Sequence, residues 1–125
     1  MTNAVTFSRA LADETRWRII RLVMNDALCV CELADILEMP QSTVSSHVQI
    51  IRKANMLESE KMEKWTYFRI AEPYLVLLNS ILEAFDDTIS PADAKRAELR
   101  LAKRENSCCP GPNKLASRHQ TTTRP

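Results

Sequence analysis

The residues of this chain best equipped for chemistry are four cysteines, set as two close pairs, Cys29-x-Cys31 and Cys108-Cys109. A thiolate is a soft donor, suited to thiophilic metals and metalloids rather than to Mg²⁺ or Ca²⁺. Residues two apart on a regular α-helix point to nearly opposite sides. Cys29 and Cys31 therefore face one ion only where the backbone is extended or unwinds. The plain alternative is a pair of small buried hydrophobes, since free cysteine is often a core residue. A dithiol redox enzyme is disfavoured, because the pair lacks C-x-x-C spacing, a βαβ context and a neighbouring histidine base. No enzymatic activity is expected. The lone glycine, Gly111, excludes glycine-rich phosphate loops.

The elements that must position these thiols follow from apolar periodicity. Val30, Leu33, Ala34 and Leu37 recur at helical spacing directly after the first cysteine pair. After Pro40 a second helical pattern carries Val44, Val48 and Ile51 inward. Its outer face is Ser42, Ser45, Ser46, Gln49, Arg52 and Lys53. Solvated helices are usually dressed in Glu and Lys, whereas short hydroxyls and an amide suit close approach to base edges in a DNA major groove. Two such helices across a tight turn make a helix-turn-helix. Gln41, Ser42, Thr43, Ser45, Ser46, His47, Gln49 and Arg52 are its candidate DNA contacts. An ordinary helical hairpin remains the bland reading of this stretch taken alone.

Around that centre the rest of the chain falls into place. Ala4 to Ala12 and Thr15 to about Asn25 read as helices, the second capped by Asp13, burying Trp17, Ile20, Val23 and Met24 and exposing Arg16, Arg18 and Arg21. From Leu57 the period changes to two, and LESEK and KWTYFRI form a hairpin around Met62-Glu63-Lys64. A hairpin after a helix-turn-helix is a wing, with Lys61 and Lys64 placed for backbone or minor-groove contact. Its acidic companions Glu58, Glu60 and Glu63 keep a solvated edge hairpin in view. The next helix, Tyr74 to Phe85, carries Leu75, Leu78, Leu82 and Phe85, more apolar surface than a small core needs, and so predicts dimerisation. Ser90-Pro91-Ala92-Asp93 opens a charged helix ending near Glu105. The fold expected is mainly α with a small β-hairpin: four helices, a wing and a fifth helix, as a homodimer. Residues 1–105 form the DNA-binding and dimerisation domain. Residues 106–125 read as a flexible tail carrying the vicinal cysteines, with His119 solvated.

Composition sets the bounds. In 125 residues, 45% hydrophobic and 26% charged, there is room for one core, and the net charge of +1 requires any DNA affinity to come from a local patch. No apolar run approaches the roughly 18 to 20 residues of a membrane span, and no signal peptide is apparent, so a cytoplasmic location is expected, with thiols reduced.

Four stretches in order carry a resemblance: Leu11-Ala12-Asp13-Glu14-Thr15-Arg16, Leu28-Cys29-Val30-Cys31-Glu32-Leu33, Gln41-Ser42-Thr43-Val44-Ser45-Ser46-His47-Val48 and Trp65-Thr66-Tyr67-Phe68-Arg69-Ile70. The chain resembles the ArsR/SmtB winged helix-turn-helix repressors, and its cysteine stretch resembles their arsenic-responsive branch, over roughly residues 4 to 88. The resemblance implies a homodimer on double-stranded operator DNA, released when As(III) or Sb(III) binds. Four positions depart from the family pattern. Pro40 stands where a serine commonly begins the recognition helix. Ala34 stands where the arsenic branch often has a third cysteine, and Glu63-Lys64 where the wing usually turns on glycine. No histidine lies between Tyr74 and Asp87, so the zinc site of the zinc-sensing branch is missing. Trivalent arsenic takes three sulfurs in a pyramid, leaving Cys108 or Cys109, from the same subunit or the other, as candidate third ligand. Cadmium, lead, zinc, methylated arsenic or an oxidant remain alternative signals for the same thiols.

Overall fold

The computed structural model describes residues 3–85, 87–115 and 118. His119 and most of the last ten residues lie outside the described residues. The element order is α1 (Ala4–Leu11), α2 (Glu14–Val23), α3 (Val30–Leu37), α4 (Gln41–Lys53), β1 (Leu57–Met62), β2 (Trp65–Ile70), α5 (Glu72–Phe85), α6 (Pro91–Ala102) and a 3₁₀ turn, Arg104–Asn106. It is a winged helix-turn-helix, mostly helical with one two-stranded antiparallel hairpin.

Local chemistry explains most boundaries. Asn3 and Asp13 accept hydrogen bonds from the third residues of α1 and α2, at 2.9 and 3.0 Å, satisfying donors the helix leaves open. Ser90 caps α6 with Pro91 as its first residue, as the sequence pattern requires. Pro40 stands at the N-cap of α4 in an extended conformation, without a side-chain cap. The hairpin turn is tighter than expected: Met62 pairs with Trp65, leaving Glu63-Lys64 as a two-residue turn with φ of 57° at Glu63.

One large apolar cluster joins all six helices to one face of the hairpin, with Ile19, Ile20, Leu33, Ile36, Val44, Ile51, Met56 and Ile70 almost fully enclosed. Burying each such side chain contributes about 1.5 to 3 kcal/mol. Leu28 matters most for the site. It forms an isolated β-bridge with Phe68, N–H to carbonyl both ways at 3.0 and 2.9 Å, which extends the pairing of the hairpin by one residue pair. Strand alternation then decides which side each residue faces. Leu28 and Phe68 join the main core, whereas Ala27, Cys29 and Tyr67 form a separate cluster on the other side with Cys109.

Three expectations are corrected. Leu78, read as a dimer contact, has 0% exposure and belongs to the protomer's own core, with Leu75 and Leu82 packed partly against it. Of that stripe only Phe85 is open, at 71%; Val76 at 72%, Leu77 and, on α1, Val5 are also exposed. A single period cannot separate the face a helix turns to its own core from the face it offers a neighbour. The α2 arginines are not a solvated face either. Arg18 grips Asp93 of α6 with two 2.8 Å bonds, Arg16 holds the carbonyls of Arg9 and Ala10, and Arg21 is half-buried. Arg18 is enclosed because α6 folds back over α2 and Arg16 because the end of α1 lies against it, packing between helices that helical spacing does not show. Finally, residues 107–115, expected to be a flexible tail, lie packed on the hairpin, with Cys109 and Gly111 buried.

Candidate thiol centre and nucleic-acid interface

Cys29 is the N-cap of α3, with extended backbone at φ −90° and ψ 169°. The helix therefore starts one residue after it, and the opposition expected of two helical cysteines does not arise. Cys29 and Glu32 form a reciprocal capping box, the Glu32 carboxylate accepting from the Cys29 N–H at 3.2 Å. The sulfurs of Cys29, Cys31 and Cys109 all lie within 4.8 Å of one another, and Cys29 Sγ is 3.7 Å from Cys109 Sγ. Cys108 is exposed and is not in this group. The third sulfur thus comes from the same chain, 80 residues away.

The surroundings hold the two ends together. Glu32, fully buried, takes two bonds from Arg104, at 2.8 Å from Nε and 2.7 Å from Nη2. Such a bidentate pair is the geometry that makes a buried carboxylate tolerable. The same Arg104 donates to the Ala27 carbonyl at 2.9 Å and lies 5.3 Å over the Tyr67 ring. Arg100 bonds Asp35 at 2.8 Å and reaches Cys109 Sγ at 3.6 Å. Burial pushes the Cys29 and Cys109 thiols up, so at neutral pH both are protonated and uncharged. Burial likewise pushes the Tyr67 phenol up to about 12.

Chemically the centre offers three soft donors in a nearly closed triangle, with a partly exposed edge at Cys31. Three sulfurs at bond lengths near 2.3 Å from one atom stand about 3.3 to 3.8 Å apart. Closure needs the longest edge to contract by at most roughly 1.5 Å on that geometry. The pair of cysteines was legible in the sequence; Glu32, Arg100, Arg104 and Tyr67 were missed. One signal was present, since Cys-x-x-Glu imitates a capping box and makes Glu32 a helix-start residue. Nothing local marks Arg100 or Arg104.

Most of the DNA-reading expectations on α4 are exposed. Gln41, Ser42, Thr43, Ser46, Gln49 and Arg52 are exposed along α4, with Ser45 half-buried among them. Ser46 donates to the Ser42 carbonyl at 3.1 Å, and Arg52 lies 5.3 Å over the Phe68 ring. His47 stands apart from that row: it is half-buried, its Nδ1 3.3 Å from Arg16 Nη1 and 3.9 Å from the Asp13 carboxylate. Lys61 and Lys64 are exposed on the hairpin, Lys64 over the Trp65 ring at 5.1 Å. Two of the three acidic hairpin residues have internal partners. Glu58 pairs with Arg69 at 2.8 Å, and Glu60 accepts three backbone N–H groups from residues 113 to 115. They are not a bare acidic face.

Comparison with known proteins places the same residues in a family context. The family described as bacterial regulatory protein, arsR family, matches residues 13–59. The chain is 33% identical over 104 residues to the arsenic resistance transcriptional regulator ArsR1 of Pseudomonas putida, covering 79% of this chain and 80% of that one. It is 36% identical over 64 residues to the arsenical resistance operon repressor of Escherichia coli, covering 50% of this chain and 55% of that one. Among solved structures it resembles the homodimeric winged helix-turn-helix domain Mb0332 of Mycobacterium bovis, at TM-score 0.59 and 23% identity, over 66% of this chain and 77% of that one. This last likeness speaks to the fold. Among the described residues no helix is long and apolar enough to cross a membrane.

Proposed function

The chain belongs to the ArsR family of bacterial regulatory proteins, and on that premise we propose a repressor that holds operator DNA as a homodimer and releases it when As(III) or Sb(III) binds Cys29, Cys31 and Cys109. The observation that carries this reading is the triangle of three sulfurs within 4.8 Å, supplied by one chain. Charge favours a trivalent metalloid. Arsenous acid exchanges three hydroxyls for three thiol sulfurs, each hydroxyl leaving as water with a thiol proton. Three As–S bonds replace three As–O bonds, and the product is neutral. A divalent cation in the same triangle would leave a net charge of −1 among buried groups, which is costly without a dedicated counter-ion. Of the adjacent arginines, Arg104 is held by Glu32, and Arg100 is shared between Asp35 and Cys109 Sγ.

The DNA-bound form would use α4 as reader, Ser45, Ser46 and Gln49 toward base edges, Gln41, Ser42 and Thr43 at the helix start, and Arg52, Lys61 and Lys64 toward phosphate. His47 would brace α4 against α2 rather than read a base. The exposed apolar residues Val5, Val76, Leu77 and Phe85 would meet a second copy, giving the two-fold pair of readers a palindromic operator requires. Drawing the sulfurs together pulls on the start of α3, which packs against α4. For this to release DNA, the ligand must favour the free form by about 1.4 kcal/mol for each tenfold loss of operator affinity.

The test is a gel shift on the promoter beside the protein's own gene, titrated with arsenite, antimonite, cadmium, lead and zinc. Release at the lowest concentrations by the two metalloids is expected. Operator binding that no metalloid relieves would overturn the assignment of the signal.

A further inference from the structure

We propose that Glu60 and Tyr67, cross-strand neighbours on the outer face of the hairpin, are positioning residues for Cys109, so that the wing itself completes the three-sulfur site. This rests on the reading above and adds to it a second mechanical path from thiols to DNA.

The observations concern how the chain after α6 is fastened. Glu60 lies opposite Tyr67 in the β1–β2 register, both on the face turned away from the main core. Glu60 Oε2 accepts from the Asn113 N–H at 2.8 Å, and Oε1 accepts from the N–H groups of Lys114 and Leu115 at 2.8 and 3.0 Å. Three successive N–H groups converging on one carboxylate form an anion-binding concavity, here filled from within the chain. The Tyr67 hydroxyl accepts from the Gly111 N–H at 2.7 Å. Gly111 sits at φ +88°, and a Cβ there would come 2.8 Å from Arg104 Cδ, so both conformation and space demand glycine. Two side chains of the wing thus fix four backbone groups immediately beyond Cys109. Leu115 closes the strap by packing on the same cluster as Cys29 and Tyr67.

The physical consequence is pre-organisation. A donor on a loose segment must be ordered when the ligand binds, and that cost is subtracted from affinity. With the strap in place Cys109 is already buried beside Cys29. The reverse also follows. When the third As–S bond draws Cys109 inward, the strap transmits the pull to β1 and the turn, which carry Lys61 and Lys64.

The experiment titrates full-length wild type, Glu60→Gln, Glu60→Ala, Tyr67→Phe, Cys109→Ser and the Glu60→Ala/Cys109→Ser double variant with arsenite, following As–S absorbance. X-ray absorption counts the sulfurs per arsenic, and thermal melts confirm folding. Glu60→Ala and Tyr67→Phe should each weaken arsenite binding roughly tenfold or more, as loss of a hydrogen bond to a charged or buried group implies. Glu60→Gln, which keeps an acceptor oxygen, should lose less. Adding Glu60→Ala to Cys109→Ser should cost nothing further, because the strap then has no sulfur to place. Wild-type affinity and three sulfurs in Glu60→Ala, with Cys109→Ser defective, would overturn the positioning role alone. A full additive loss in the double variant would do the same. A Cys109→Ser protein that binds arsenite like wild type would overturn the three-sulfur reading itself.

Discussion

Two regions of this molecule solve opposite problems. The thiol corner, made by the start of α3, the end of α6, the strap and the outer face of the wing, closes on itself within one chain. Cys29 is 2% exposed and Cys109 0%, and their nearest charged neighbours are paired with each other. Helix α5 does the reverse: Val76 at 72% and Phe85 at 71% stand open, with no described element of the chain lying over them. Apolar surface left open on a small protein asks for a partner. On the function proposed above, the difference teaches that sensing would need one protomer, whereas reading a two-fold operator would need two.

The sharpest way to break that division is to silence one region and watch the other. Cys29→Ser/Cys31→Ser should abolish release by arsenite altogether, leaving operator affinity and sedimentation as a dimer unchanged. A double variant that still leaves its operator when arsenite is added would remove the thiol corner from the mechanism. Val76→Glu/Leu77→Glu should do the converse. Two charges facing each other across the two-fold should give monomers and cut operator affinity by on the order of a hundredfold, while arsenite still binds each monomer with three sulfurs. Analytical ultracentrifugation and an arsenite titration of the same sample decide it. Leu78→Glu is not a substitute, since it would bury a charge in the protomer core and unfold the protein.

A smaller effect should come from Gly111→Ala. The strained left-handed conformation and the contact with Arg104 should cost roughly 1 to 3 kcal/mol of strap docking. Arsenite affinity should fall while dimerisation stays intact, and hydrogen exchange at residues 113 to 115 should rise. Equal exchange in both proteins would show that the glycine is dispensable.

Acid offers a graded probe of α6. The Arg18 guanidinium beside Asp93 holds its carboxyl below the usual range despite burial, with Arg96 assisting. A depressed folded value stabilises above the unfolded pKa of about 3.9, and that stabilisation is lost as pH falls through the folded value. The docking of α6, and with it Cys109, should therefore loosen below about pH 4. Melting temperature against pH for wild type and Asp93→Asn checks the sign: the variant should be less stable at neutral pH and should lose less on acidification.

The least effect is expected at the wing tip. Glu63 occupies a left-handed position where glycine is easier, so Glu63→Gly should change stability by less than about 1 kcal/mol, in the favourable direction. Neither dimerisation nor arsenite affinity should respond.

Much of this protein was determined by sequence alone, because it depends on neighbours close in the chain. Helix caps at Asp13 and Ser90, the helical stripes of α3 and α4, and the period-two run from Leu57 to Ile70 are local, and each appeared where expected. The serine-rich face of α4 and the Cys29-x-Cys31 pair were legible for the same reason. Tertiary structure decided the rest. That Cys109 rather than Cys108 joins the pair follows from an 80-residue closure, made by Glu32–Arg104 and Glu60 with residues 113 to 115. Residues 107–115 looked unstructured because their order comes from backbone N–H groups captured by distant side chains, which leaves no periodic trace. Leu78 looked like an interface because periodicity gives a helix's apolar stripe but not which part of it the protomer's own core will cover. Local pattern fixes what each segment is; only the packed chain decides what it faces.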